Sequence, residues 1–141
     1  MKNTSILLLC MISFSSVYAQ LKWYAVNQKG IGITDLIGNT SVNKWTKSSA
    51  TISIDENNSN IYIYDGGKSK HFEIIALLKK EESAKADTKI FEAANEEGIK
   101  YKIGLTKYKG IMIGAKLSVY MPDRTVIIYK ITANSITQQS H

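Results

Sequence analysis

Apolar and polar positions alternate with period two through most of Ile99 to Ile131, and two short turns interrupt the alternation. In the first run Ile99, Tyr101, Ile103 and Leu105 fall on one face, while Lys100, Lys102 and Thr106 fall on the other. A Lys-Tyr-Lys-Gly turn leads into Ile-Met-Ile-Gly-Ala-Lys-Leu-Ser-Val-Tyr. Met121-Pro122-Asp123-Arg124 then turns the chain into Thr-Val-Ile-Ile-Tyr-Lys-Ile, with proline placed where its missing N–H does no harm. Three strand-like runs joined by short turns predict an antiparallel meander.

The upstream chain has to supply this sheet with partners. Leu21 to Asn27 carries Trp23, Tyr24 and Val26, which favour a strand. Gln28-Lys29-Gly30 reads as a turn, residues 31–37 as a partly alternating run, and 38–49 as a loop holding a docked Trp45. Ala50–Asp55 and Asn60–Tyr64 read as a hairpin across Glu56-Asn57-Asn58-Ser59, aliphatic on one face of its second strand and aromatic on the other. Asp65-Gly66-Gly67 supplies a tight turn. Residues 70–78 suit a strand face or a helix stripe; the hairpin chemistry before them decides for a strand, with a mobile turn or a short helical turn at 80–87. Thr88–Ala94 reads as a further strand, and Asn95–Gly98 turns back into the meander. Gly104 and Gly114 read as bends or bulges within strands, and residues 132–141 as a flexible polar tail. The fold class is all-β: one antiparallel up-and-down meander barrel of about eight strands over residues 20–131. Eight strands enclose an interior that side chains fill, or one that holds a single small ligand.

Residues 1–19 stand apart. Lys2 precedes the apolar run Ile6–Phe14, and Val17-Tyr18-Ala19 offers a cleavage point before Gln20, the layout of a secretory signal peptide. The run is shorter than the ~20 residues of a membrane span. Leu9 before Cys10 argues against lipid attachment. Cleavage would remove Lys2, leaving 17 of the 18 basic residues against 12 acidic ones, and would remove Cys10, the sole cysteine. The expected product is periplasmic or extracellular, does not span a membrane, and is held by core and pairing rather than disulfides.

Candidate chemistry is sparse. The two histidines are His71 and His141, too few with no mature cysteine for a metal site, and no metal or cofactor is expected. No G-x-S-x-G elbow surrounds a serine that might join His71 and Asp65. Glu81-Glu82 and Glu96-Glu97 are adjacent pairs in turns, where side chains diverge, rather than a facing acid/base couple. Gly30-Ile31-Gly32 lacks the third glycine and following helix of a phosphate cradle. The chain therefore reads as non-enzymatic.

Two features remain. Lys100, Lys102, Lys107, Lys109 and Lys116 fall on or near one hairpin, a stripe that could meet an anionic envelope component or be a solvated wall. Export makes nucleic acid a poor partner for it. Aromatic residues are numerous for one small core, and Trp23, Tyr62, Tyr64 and Tyr101 are the candidate ligand-binding residues.

Lys22-Trp23-Tyr24-Ala25-Val26 resembles the opening Trp-Tyr segment of the lipocalins, although Leu21 stands where that family has its glycine. The pattern running from Trp45 through Ile52–Asp55 and Ile61–Tyr64 to Ile128–Ile131 resembles small exported bacterial barrel proteins. The first resemblance implies a calycin-type barrel with an apolar ligand. The expected function is thus an exported module binding an apolar or amphipathic small molecule in or at the mouth of the barrel. The alternative is an envelope interaction protein acting through its basic and aromatic outer surface.

Overall fold

The computed structural model describes residues 22–35, 37–110 and 114–137, with side chains described up to Ile131. The signal-peptide reading of residues 1–19 and the last four residues of the expected tail lie outside these limits. The chain forms nine strands: β1 (Trp23–Thr34), β2 (Thr40–Lys47), β3 (Thr51–Asp55), β4 (Asn60–Asp65), β5 (Lys68–Glu82), β6 (Ala86–Ala94), β7 (Lys100–Tyr108), β8 (Gly114–Tyr120) and β9 (Thr125–Thr137). All pairings are antiparallel, in the order β2-β1-β3-β4-β5-β6-β7-β8-β9, and β9 returns to pair with β1. The meander is therefore an eight-stranded closed barrel.

Nine strands make eight staves because β2 and β3 are two pieces of one descending strand. Both pair with the same edge of β1: Gln28–Thr34 faces β2, and Tyr24 and Ala25 face β3. The break at 48–50 stays tied to β1, since Val26 N–H donates to the Ala50 carbonyl at 2.8 Å and Ser48 N–H to that of Asn27 at 3.2 Å. Turns at 35–39, 66–67, 95–98 and 121–124 mark one end of the barrel, termed upper below. Those at 56–59 and 83–85 mark the lower end.

Alternation places the aliphatic positions inside. Ile52, Ile61, Ile103 and Leu117 have no exposed surface, and Phe72, Phe91, Leu105, Val119, Tyr129 and Ile131 are buried with them. Burying an aliphatic side chain of this size stabilises the fold by roughly 1.5–3 kcal/mol, so the row across the barrel waist is its main cement. The lower rim is closed by Lys89, whose Nζ lies 3.2 Å from Glu56.

Several sequence expectations change. The turn at Gln28-Lys29-Gly30 is uninterrupted strand, because β1 must stay extended to pair β9 from Gln28 to Ile33. The loop read over 38–49 is mostly β2. Trp45 does dock, lying over Gly30, where a Cβ would come within 2.8 Å of its ring. The helical turn at 80–87 is replaced by β5 running through Glu82 and a short turn held by Ser83 Oγ, which accepts from Ala86 N–H at 3.1 Å. Among the described residues there is no helix, and none is long and apolar enough to cross a membrane. Gly104 is no bulge: β7 pairs β6 and β8 in unbroken register, and a Cβ there would meet the Tyr120 ring at an ordinary contact distance of 3.6 Å. β9 continues to Thr137, six residues past Ile131, the expected end of the barrel, pairing Ile136 and Thr137 with Tyr24 and Trp23.

Candidate functional site

Inward positions are apolar at the waist but become polar towards the upper end. Lys29 opposes Tyr129, Asp65 ends β4, and Lys70 opposes Ile63, so these charged residues take inward register positions that aliphatic residues fill lower down. Lys29 Nζ lies 2.6 Å from Asp65 Oδ2, which also accepts from the Tyr129 hydroxyl at 3.4 Å. Three strands far apart in sequence are thereby tied across the upper barrel. The carboxylate and ammonium are only a quarter exposed or less, so each depends on the other for solvation. Burial, and then the neighbouring Asp65 charge, hold the Tyr129 hydroxyl protonated well above the ordinary tyrosine range.

Beside this brace the upper mouth keeps a cavity of about 310 Å³. Its apolar walls are Ile63, Phe72, Tyr101, Val119 and Ile127, and Lys70, His71, Asn95 and Glu96 are among its polar lining. Phe72 and Tyr101 meet edge to face with ring centroids 5.2 Å apart, a preferred aromatic geometry. The Tyr101 hydroxyl takes a long 3.5 Å contact from Asn95 Nδ2 in the turn above. Lys70 has no ion-pair partner among the described residues. The mouth thus joins an aromatic and aliphatic floor to a mixed polar rim, where Glu96 and Glu97 line the cavity along with Lys70.

The four aromatic candidates do not converge. Tyr101 faces inward and walls the cavity. Tyr62 and Tyr64 alternate with the buried Ile61 and Ile63, so they lie on the outer wall, and Tyr64 is half exposed. Trp23 sits on that same outer wall, 6.4 Å from the Tyr62 ring. The period-two rule that makes Asn60–Tyr64 a secure strand is what removes its tyrosines from the interior.

The lysine stripe also divides. Lys100 and Lys102 share the outer face as expected, but Lys100 lies 3.5 Å from Glu92. Lys109 is engaged by Asp87 at 3.1 Å and by the Ser83 carbonyl. Lys107 follows Leu105 on the inward register at the lower rim, opposite Ala115. Lys116 lies on the outer wall beside Lys130, which was not among the candidates.

His71 stacks on Tyr62 at 4.7 Å between centroids, with Nε2 2.8 Å from Asn60 Oδ1 and Nδ1 4.0 Å from Glu96. No serine hydrogen-bonds it among the described residues, and Asp65, the possible third member of a triad, is committed to Lys29. No cluster of three His, Cys, Asp or Glu side chains gathers among the described residues. Lys29, Asp65, Lys70 and Phe72 are the contributors missed by sequence reasoning. Parity signals Asp65, in phase with Ile61 and Ile63, and Lys70, in phase with Phe72, whereas the bulge between Val26 and Gln28 hides the inward turn of Lys29.

No family model, curated protein or solved structure matches the chain.

Proposed function

We propose that this protein is an exported, non-enzymatic binding barrel that takes a small amphipathic molecule at its upper mouth. The carrying observation is the cavity of about 310 Å³ where the Phe72–Tyr101 pair meets the unpaired Lys70. An apolar pocket with a few convergent polar groups is the usual form of a small-molecule site. Its volume is at the small end of the ~300–1,000 Å³ range of such sites, which favours a short acyl or single-ring acid over a sterol or haem. The waist below is plain core, so the ligand enters the mouth and does not thread the barrel. The lipocalin-like opening segment and the eight-stranded closure support the same reading.

Thermal-shift titration of the mature chain with medium-chain fatty acids and small aromatic acids tests it, with sterols and haem as oversized probes. A concentration-dependent rise in midpoint is expected with the acids. Tyr101→Ala should abolish the rise, and Lys70→Gln should weaken it for acids while sparing the corresponding alcohols. A flat response to every probe overturns the reading.

A further inference from the structure

The outer wall of β8, β9, β1 and β2 carries a second feature, independent of the mouth. Register pairs place Thr106, Lys116, Lys130, Gln28 and Lys47 side by side around the circumference of the barrel. Lys116 and Lys130 are direct cross-strand neighbours, a position where side chains stand ~5 Å apart and like charges repel. No carboxylate lies in this row, and neither these two lysines nor Lys47 has an ion-pair partner among the described residues. Elsewhere Lys29, Lys79, Lys80, Lys89, Lys100 and Lys109 each have an acidic partner; what sets the row apart from the other unpaired lysines is the direct opposition of Lys116 and Lys130 across two strands. Lys130 is moreover held in place, its ammonium 3.8 Å over the Trp45 ring, a contact that orients the charge without neutralising it.

We propose that this row binds a linear anionic polysaccharide, its acid groups seated on Lys116, Lys130 and Lys47. The geometry selects the partner. Strands lie ~4.8 Å apart, so the three cations span about three strand spacings in a line that runs around the wall, across the strands. A flat bilayer would touch the curved wall along the barrel axis, to which the strands and hence this row are inclined, meeting only part of the row, whereas a flexible chain can follow the curvature. Trp45 has one ring face covered by Lys130 and its ring against Gly30, so the covered face offers no platform for a stacking base. That disfavours a single-stranded nucleic acid. The bond is ionic and exposed, so it weakens as salt rises.

Binding of the mature chain to dextran sulfate and to polygalacturonate, measured by calorimetry at low and at physiological salt, tests the proposal. Phosphatidylglycerol vesicles and poly(dT) are the competing probes. The double variant Lys116→Gln/Lys130→Gln should lose at least tenfold in affinity for one or both polysaccharides. Lys80→Gln/Lys85→Gln, with the same change in net charge at the lower end, should lose less than twofold. Lys116→Glu replaces the repulsion with an attraction, so it should raise the unfolding midpoint while reducing binding, which separates loss of the site from loss of the fold. Equal losses in the two double variants, tighter binding to vesicles or poly(dT), or no polysaccharide binding at low salt would each overturn the proposal.

Discussion

The waist and the upper mouth of this barrel are built by the same strands with the same alternation, yet they do opposite things. At the waist the inward side chains are aliphatic or aromatic and buried. Three or four residues higher along the same strands, inward positions hold Lys29, Asp65 and Lys70, and a cavity opens beside them. Charged groups pack to native density only when partnered, and their partners lie on distant strands. The mouth is therefore held by specific bonds and the waist by volume. Stability is concentrated in one region and adaptability in the other.

The largest effect should come from damaging the waist. Ile103→Ala removes a wholly buried side chain and should cost about 2–5 kcal/mol, read by urea unfolding, without selectively altering ligand response at the mouth. Asp65→Ala attacks the brace. It leaves Lys29 and the Tyr129 hydroxyl without their shared acceptor and should cost about 1–3 kcal/mol. If this loss matched that of Ile103→Ala, the division between volume and bonding would blur. A smaller effect concerns pH. The folded state keeps Tyr129 protonated above the ordinary value of 10.0, while the unfolded chain releases that proton. Stability from this group is complete below pH 10 and falls as pH rises beyond it. Tyr129→Phe should flatten that alkaline decline in a pH series of thermal midpoints.

Sequence patterning reads the waist well and the mouth poorly, for one physical reason. A buried aliphatic face repeats every second residue, and the repeat is visible locally in Ile61 and Ile63 or in Ile103 and Leu105. The Lys29–Asp65 bond joins residues from strands whose adjacency exists only after closure. Tyr62 and Tyr64 attract notice by composition, yet their parity puts them outside. Lys70 looks like any surface lysine until its opposition to Ile63 turns it inward. Gly30 shows the same limit. It reads as a turn residue, but its role is to leave space for Trp45, which arrives from the next strand.

Closure of the ring by β1 and β9 has a consequence for how the molecule comes into being. The first strand shares one of its two long edges with the last, and Trp23 finds its partner only at Thr137. A ribosome delivers these segments in order, so the opening strand must wait, half unzipped, until β9 has emerged. Contacts so remote in sequence slow folding, and an unsatisfied ribbon is an invitation to strangers. The final strand is thus the clasp of the assembly, and a nascent chain stopped before it would remain an open sheet with two sticky borders.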